Sequence, residues 1–300
     1  MLPPRQVLLL PESRRFAGQP LSKAVARALG RADPMPQAGT GEQAQLQRWF
    51  DLLPRGWPMA AITRQRDAGD AALHAWLRAD PAYVRPDMTG ARVLAIGELG
   101  LSADEAKALC AALGPLFGDA GFPISAPNPA RWYLALPPEA RLPDFAAPEA
   151  VLGDDLFLHL PEGPEGRRWR SLLNEAQIIL HNHPVNAARI AAGRVPANSL
   201  CFWGAGRLPD QVRCRLGDVR SDEAQLASLA ALSAGVAANA GELLDLRGSR
   251  DWAAVEAELL PRLPGVDGAG LVLDFADGAG WWLRAGQGWR FWRRPLAGLE

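Results

Sequence analysis

Strand-length apolar runs alternate with helix-length amphipathic segments along most of this chain, and that alternation restricts it to the α/β class. Gln6–Leu10 (QVLLL) is apolar throughout, as a strand buried on both faces must be. Residues 92–99, 131–136, 199–203, 243–246 and Leu271–Phe275 read as further strands, and 156–160 as a weaker one. Between them lie helical spacings. Leu46, Trp49, Phe50 and Leu53 mark one over 42–53, and residues 67–78 form another that stops before Asp80-Pro81. Ser102 with Glu105 three residues on predicts a capping box opening a helix that runs to about Leu113. Residues 169–181 carry Trp169, Leu172, Leu173, Ala176 and Leu180 on one helical face, and 222–240 is a long Ala/Leu-rich helix behind Ser221. The expected fold is therefore a mixed, mostly parallel sheet flanked by helices. The strands at 281–284 and 290–292 are expected to close a terminal hairpin through Gly286-Gln287-Gly288.

Composition excludes several classes. A chain of 300 residues with 48% hydrophobic and 22% charged residues buries an ordinary core, and a net charge of -1 argues against a nucleic-acid partner. No apolar run is long enough to cross a membrane as a helix, and the Val-Leu-Leu-Leu run near the start is too short for a signal-peptide core, so a cytoplasmic protein is expected. Cys110, Cys201 and Cys214 are an odd set without CxxC spacing, which fits a reducing compartment. Eleven tryptophans against two tyrosines are expected to act as core or interface anchors.

The stretch 174–206, NEAQIILHNHPVNAARIAAGRVPANSLCFWGAG, concentrates the polar groups that could carry chemistry. Asn186 and Arg189, three apart, share the face of a short helix that Pro184 opens and Gly193 ends. A guanidinium fork suits phosphate or carboxylate, so Asn186, Arg189 and Asn198, with Glu175 and Trp203, form a candidate site for a small anionic ligand; the same groups could equally tie helix to strand. His181 and His183 are the candidate metal ligands. Two apart, they converge only if Pro184 breaks the helix between them, with His159 or an aspartate as third ligand; otherwise they are a helix-end and a capping histidine. Asp154-Asp155 and Asp274 with Asp277 are acidic pairs that could bind a cation or form turns. Gly204-Ala205-Gly206 lacks the third glycine of a dinucleotide fingerprint and the Lys-Ser/Thr of a P-loop, and neither GxSxG nor HExxH occurs. Arginines interleaved with tryptophans over 281–294 could bind single strands or line a sheet edge, and the overall charge favours the latter.

On these residues the chain resembles two families. HPVNAARIAAGRVPANSLCFWGAG is similar to the Asn-x-x-Arg, Gly, Pro-Ala-Asn, Trp-Gly-x-Gly succession of archaeal-type cofactor-independent phosphoglycerate mutases, members of the alkaline-phosphatase superfamily, over about 183–246. WLRADP at 76–81, Leu-Ser-x-Asp-Glu-Ala at 101–106, Arg131-Trp132-Tyr133, LPEGPEG at 160–166 and LLNEAQIILHNHPVN at 172–186 resemble the bacterial RpfE-type regulatory proteins, over roughly 54–210. The first resemblance implies a reduced phosphoglycerate mutase/alkaline-phosphatase-like core. It is divided here into residues 1–78, an inserted α+β subdomain at 79–160, and residues 161–300 with the motif and the terminal hairpin. It also implies a two-metal phosphoryl transfer using several Asp and His with a Ser or Thr. The residues depart from that chemistry: LLLPESRR has no Asp-Gly, and GLVLDFADGAGW keeps Asp274 but no histidine, none occurring after His183. The expectation is a non-catalytic regulatory or ligand-sensing pseudoenzyme with no catalytic residue and no cofactor. Its partner is a small phosphorylated or carboxylate ligand or a protein, with neither nucleic acid nor membrane. The alternatives are a divergent phosphomutase or phosphohydrolase using Mn or Mg, and an interaction module whose tryptophan-rich terminal hairpin is the contact surface.

Overall fold

The computed structural model describes residues 4–36, 39–88, 90–233, 241–263 and 270–299. The chain begins with β1 (Gln6–Leu10), α1 (Lys23–Arg31), β2 (Asp33–Pro34), α2 (Glu42–Gln47) and β3 (Phe50–Leu53). It continues through α3 (Met59–Ala68), β4 (Ala75–Pro86), β5 (Ala91–Ile96), α4 (Ala103–Asp119), β6 (Ile124–Asn128), β7 (Arg131–Leu136), α5 (Pro148–Val151), α6 (Gly163–His181), α7 (Pro184–Ala191) and β8 (Ser199–Gly206). It ends with β9 (Gln211–Cys214), β10 (Asp218–Arg220), α8 (Ala224–Ser233), β11 (Glu242–Asp245), α9 (Trp252–Leu259), β12 (Leu271–Phe275) and β13 (Gly280–Leu283). The fold is α/β, as the alternation predicts. Two compact units divide it: Met1–Leu53 with Gln211–Glu300, and Pro54–Asp210.

The first unit is built on a sheet of order β10-β11-β1-β12-β13-β2, parallel from β10 to β12 and antiparallel beyond. Its central strand β1 is the apolar QVLLL run. Leu8 and Leu10 share a face with Leu271, Leu273 and Phe275 and pack on Phe16, Val25, Leu29, Trp252, Val255 and Leu259, while Val7 and Leu9 are equally buried. Burial on both faces is what an apolar strand without alternation requires. β3 pairs antiparallel with β9, from Phe50↔Cys214 to Leu53↔Gln211.

The second unit is built on an antiparallel sheet of order β5-β4-β7-β6, with β8 also pairing β4. Period-2 alternation sorts its side chains cleanly. Leu77, Ala79, Trp132, Leu134, Leu200 and Phe202 join Leu109, Leu113, Phe117, Trp169, Leu172, Leu173 and Leu180 of α4 and α6 in one core. Trp76 and Tyr133, on the opposite face, pack against Ala60 and Ala61 of α3. Trp169 stacks on Phe122 with ring centroids 5.0 Å apart and meets Phe202 edge-on at 5.0 Å.

Several local expectations are revised. Residues 75–78 belong to strand β4 rather than to a helix over 67–78, because Trp76, Arg78 and Asp80 must face α3 while Leu77 and Ala79 face the other core. The expected boundary between 78 and 79 thus falls inside β4, and the second compact unit extends to Asp210 rather than ending at 160. Residues 156–160 form a single turn rather than a strand. The helix behind Ser102 has its capping box but passes through Pro115 to Asp119, held by buried Leu113 and Phe117. The terminal hairpin forms one strand earlier than expected, between β12 and β13, because the far edge of β13 is taken by Asp33–Pro34 and leaves no ladder for 290–292. Of the expected helix over 222–240, residues 234–240 lie outside the described residues.

Candidate functional site

In the second unit, α6 ends at His181 and α7 begins after His183. The His183 imidazole Nδ1 accepts from the Val185 N–H at 3.2 Å, and Pro184 occupies the first turn, where a missing N–H costs nothing. The helix break anticipated at Pro184 is present. His183 serves as a cap, His181 is exposed, and His159 pairs with Asp154 at 2.9 Å. Among the described residues no three His, Cys, Asp or Glu side chains converge as metal ligands.

Asn186 and Arg189 are each only 1% exposed. The Asn186 amide donates to the carbonyls of Leu180 (2.7 Å) and Ala197 (2.8 Å), and its Oδ1 accepts from the Ala197 N–H (2.9 Å). Arg189 donates to Val195 O (2.8 Å), Leu99 O (2.5 Å), Gly100 O (3.2 Å) and the Glu105 carboxylate (2.7 Å). Together they staple α7 to the Pro-Ala-Asn turn and to the start of α4. Asn198 continues the β4–β8 ladder with its side chain, giving and accepting a 2.8 Å bond at Val84. Burial would lift the Glu105 carboxyl, but the Ser102 N–H and the guanidinium groups of Arg189 and Arg194 hold it below its ordinary value.

Beside this scaffold lies an open cleft of about 430 Å³ between the outer half of β4 and the α6–α7 corner. His181, Asn186 and Asn198 line it, as do Arg85, Arg194 and Ile190, which sequence reasoning did not single out. Glu175, exposed on α6 and accepting from Ser171 at 3.1 Å, and Trp203, buried in β8, are not part of it. The cleft therefore gathers three of the named residues and adds two arginines. Their chemistry, two guanidinium groups and an imidazole around an open cleft, fits a small anion.

Trp203 belongs to a second polar group, under α3. Its indole donates to Asp80 at 2.7 Å, and Arg78 grips the same carboxylate through two bonds of 2.7 and 2.8 Å while donating to Thr63. Arg131 grips Asp67 in the same way, and the Tyr133 hydroxyl donates to Asp67 at 2.6 Å. Burial raises the Asp80 pKa against the pull of Arg78 and the Trp203 N–H, and it raises that of the Tyr133 phenol. Burial also acts upward on Asp67, but Arg131 and Tyr133 hold it below its ordinary value. The sequence signal was present in WLRADP: charges at 78 and 80, alternating with apolar residues, place an ion pair on one strand face.

In the first unit, carboxylates stand at the carboxyl ends of the parallel strands, where open α/β sheets place ligand crevices. Asp274 of β12 accepts from Arg48 at 2.6 and 3.1 Å and from the Trp49 indole at 2.6 Å, with only 2% of its side chain exposed. Asp245 of β11 accepts two 2.8 Å bonds from Arg247 and one of 2.6 Å from Ser221. Asp277 is occupied by the N–H and hydroxyl of Ser13. Burial raises the Asp274 pKa despite Arg48. It acts the same way on Asp245, where Arg247 prevails and holds the group low.

Comparison with known proteins gives a partial likeness. Over 62 residues, 21% of its length, the chain is 40% identical to a probable 2,3-bisphosphoglycerate-independent phosphoglycerate mutase of Geobacter sulfurreducens. Over a stretch of the same length it is 36% identical to a 2,3-bisphosphoglycerate-independent phosphoglycerate mutase of Methanosarcina mazei. Each match spans 16% of the relative's length. A solved cofactor-independent phosphoglycerate mutase from Thermoplasma acidophilum superposes with a TM-score of 0.41 at 14% identity, covering 94% of this chain and 89% of that one. No protein-family profile matches the chain. The chain is distantly similar to cofactor-independent phosphoglycerate mutases. No helix among the described residues is long and apolar enough to cross a membrane.

Proposed function

We propose that this chain is a regulatory or ligand-sensing relative of the phosphoglycerate mutases, of the RpfE type, that binds a small phosphorylated or carboxylate anion and does not transfer its phosphoryl group. The observation that carries this reading is the state of Asp274. It stands on the strand that the mutase resemblance equates with a metal-ligand strand, yet its lone pairs are committed to Arg48 and Trp49. Asp245 is likewise committed to Arg247 and Ser221. A guanidinium and a divalent cation compete for the same carboxylate oxygens, so this donor set does not fit the two-metal centre the resemblance implies. Neither Mn nor Mg is assigned to the chain.

The anion-binding half of the reading rests on the cleft of Arg85, Arg194 and His181, held open by the buried Asn186–Arg189 scaffold. The regulatory half is supported by the coincidence of the RpfE-type resemblance, over roughly 54–210, with one compact unit.

The test is a thermal-shift series with 3-phosphoglycerate, other phosphorylated metabolites and dicarboxylates, with and without Mn²⁺. Ligand at a hundred times its Kd adds about 2.7 kcal/mol, a shift of several degrees for a domain of this size. The expected result is a shift that ignores Mn²⁺ and disappears in the Arg85→Ala, Arg194→Ala double variant. Mutase turnover, or a shift that requires Mn²⁺ and is abolished by Asp274→Asn, would sink the reading.

A further inference from the structure

Past β13 the first unit turns its chemistry inside out. Gly286, in the left-handed region at φ 81°, starts a turn that Gln287 locks by accepting from the Arg284 N–H (2.9 Å) and donating to Trp282 O (3.0 Å). Beyond it the arginines face inward. Arg290 bonds Asp33 (2.5 Å) and Arg31 O (3.0 Å), Arg293 bonds Ala32 O (2.8 Å), and Arg31 returns a bond to Gly288 O (2.8 Å). The aromatic side chains face outward. Trp289, Phe291 and Trp292 are 80%, 77% and 68% exposed, within four residues of one another. Three large aromatics held in water by a pinned backbone are the composition of an interface centre, in which Trp and Arg dominate.

The surrounding charge indicates the occupant. Arg284, Arg290 and Arg293 are fixed here, Arg294 is exposed beside them, and Asp33 is the one carboxylate they bond among the described residues. We propose that this aromatic–arginine surface docks an acidic segment of a partner protein. Its apolar side chains would cover Trp289, Phe291 and Trp292 while its carboxylates meet Arg294 and the exposed N–H groups of Arg293. A nucleic-acid strand suits the geometry less well, because Phe291 and Trp292 stand edge to face at 80° and cannot both stack on successive bases. The proposal extends the regulatory reading to a partner, but it uses residues remote in sequence from the anion cleft, so either can fail alone.

The experiment is selection from a random peptide library on the whole chain, with the Trp289→Ala, Phe291→Ala, Trp292→Ala variant as counter-selection target. Circular dichroism and the melting temperature confirm that the variant is folded. The expected result is enrichment of peptides rich in Asp and Glu with interspersed apolar residues. Their affinity should fall about tenfold or more in the variant and weaken with salt. Peptides without acidic bias, or peptides that bind both proteins equally, overturn the proposal. So does aromatic-dependent binding that goes instead to anionic phosphatidylserine vesicles, to a single-stranded oligonucleotide, or to a second copy of the chain in sedimentation.

Discussion

Arg189→Lys separates scaffold from ligand contact at the most suggestive residue of the sequence. The native guanidinium serves four acceptors, the carbonyls of Val195, Leu99 and Gly100 and the Glu105 carboxylate, from a position 1% exposed. A lysine ammonium keeps the charge but offers three donors from one point without the planar fork, so two of these four separated acceptors are expected to be left unpaired. At roughly 1–3 kcal/mol for each buried unsatisfied polar group, the loss is about 3–5 kcal/mol. That corresponds to a fall in Tm on the order of 10 °C for a domain of this size. Urea unfolding followed by tryptophan fluorescence, together with calorimetry, measures it. Arg194→Ala is the control: it removes the half-exposed partner of the same Glu105 and should cost under about 1 kcal/mol. An Arg189→Lys protein within about 1 kcal/mol of wild type would refute the scaffold assignment.

Other outcomes follow from the same geometry. Arg48→Ala strands the Asp274 carboxylate, which is 2% exposed, and should cost about 3–5 kcal/mol at neutral pH; the loss should shrink in acid, since a protonated Asp274 needs no counter-ion. Asp67, Asp245 and Glu105 are held below their ordinary values, so their contribution is complete above unfolded pKa values of about 3.9–4.3 and is lost as pH falls through the lower folded ones. The urea midpoint should therefore drop below about pH 4, and Asp245→Asn should make that acid limb shallower. Burial pushes the Cys110 thiol up to about 11 and raises Cys201 and Cys214 too, but Cys214 is the most accessible of the three. A thiol reagent should label Cys214 first and the other two only on unfolding, as peptide mass mapping over time will show.

What the sequence revealed depended on how local the physics was. β1, the Ser102–Glu105 capping box, the face of α6 and the Pro184 restart of α7 rest on periodicity and caps within a few residues, and each is present. The strand at 75–78 was missed because tertiary packing decided it: one face had to meet α3 and the other α4 and α6. The partners of Asn186 and Arg189 were illegible for a related reason. Asn186 reaches 11 residues along the chain to Ala197, and Arg189 reaches 84 residues back to Glu105. Nothing in a local motif distinguishes a guanidinium aimed at a carbonyl from one aimed at a phosphate. The terminal hairpin failed through competition for an edge, which only the position of Asp33–Pro34 reveals.

The same competition bears on the function. A carboxylate at a strand end is neutralised by a proton, a metal ion or a guanidinium, and Asp274 already has the third. For a divalent ion to take its oxygens, two bonds from Arg48 and one from Trp49 must break, and Arg48, 15% exposed, is left without its counter-charge. At about 3–5 kcal/mol for breaking a buried pair, the metal's apparent affinity falls on the order of a hundredfold to several thousandfold. Asp274 is then better explained as the acceptor that fixes α2 and the start of β3 to the sheet. In that role it requires Arg48, whereas a metal ligand would require Arg48 to be absent. The arginine therefore says more about what this chain does than the aspartate it holds.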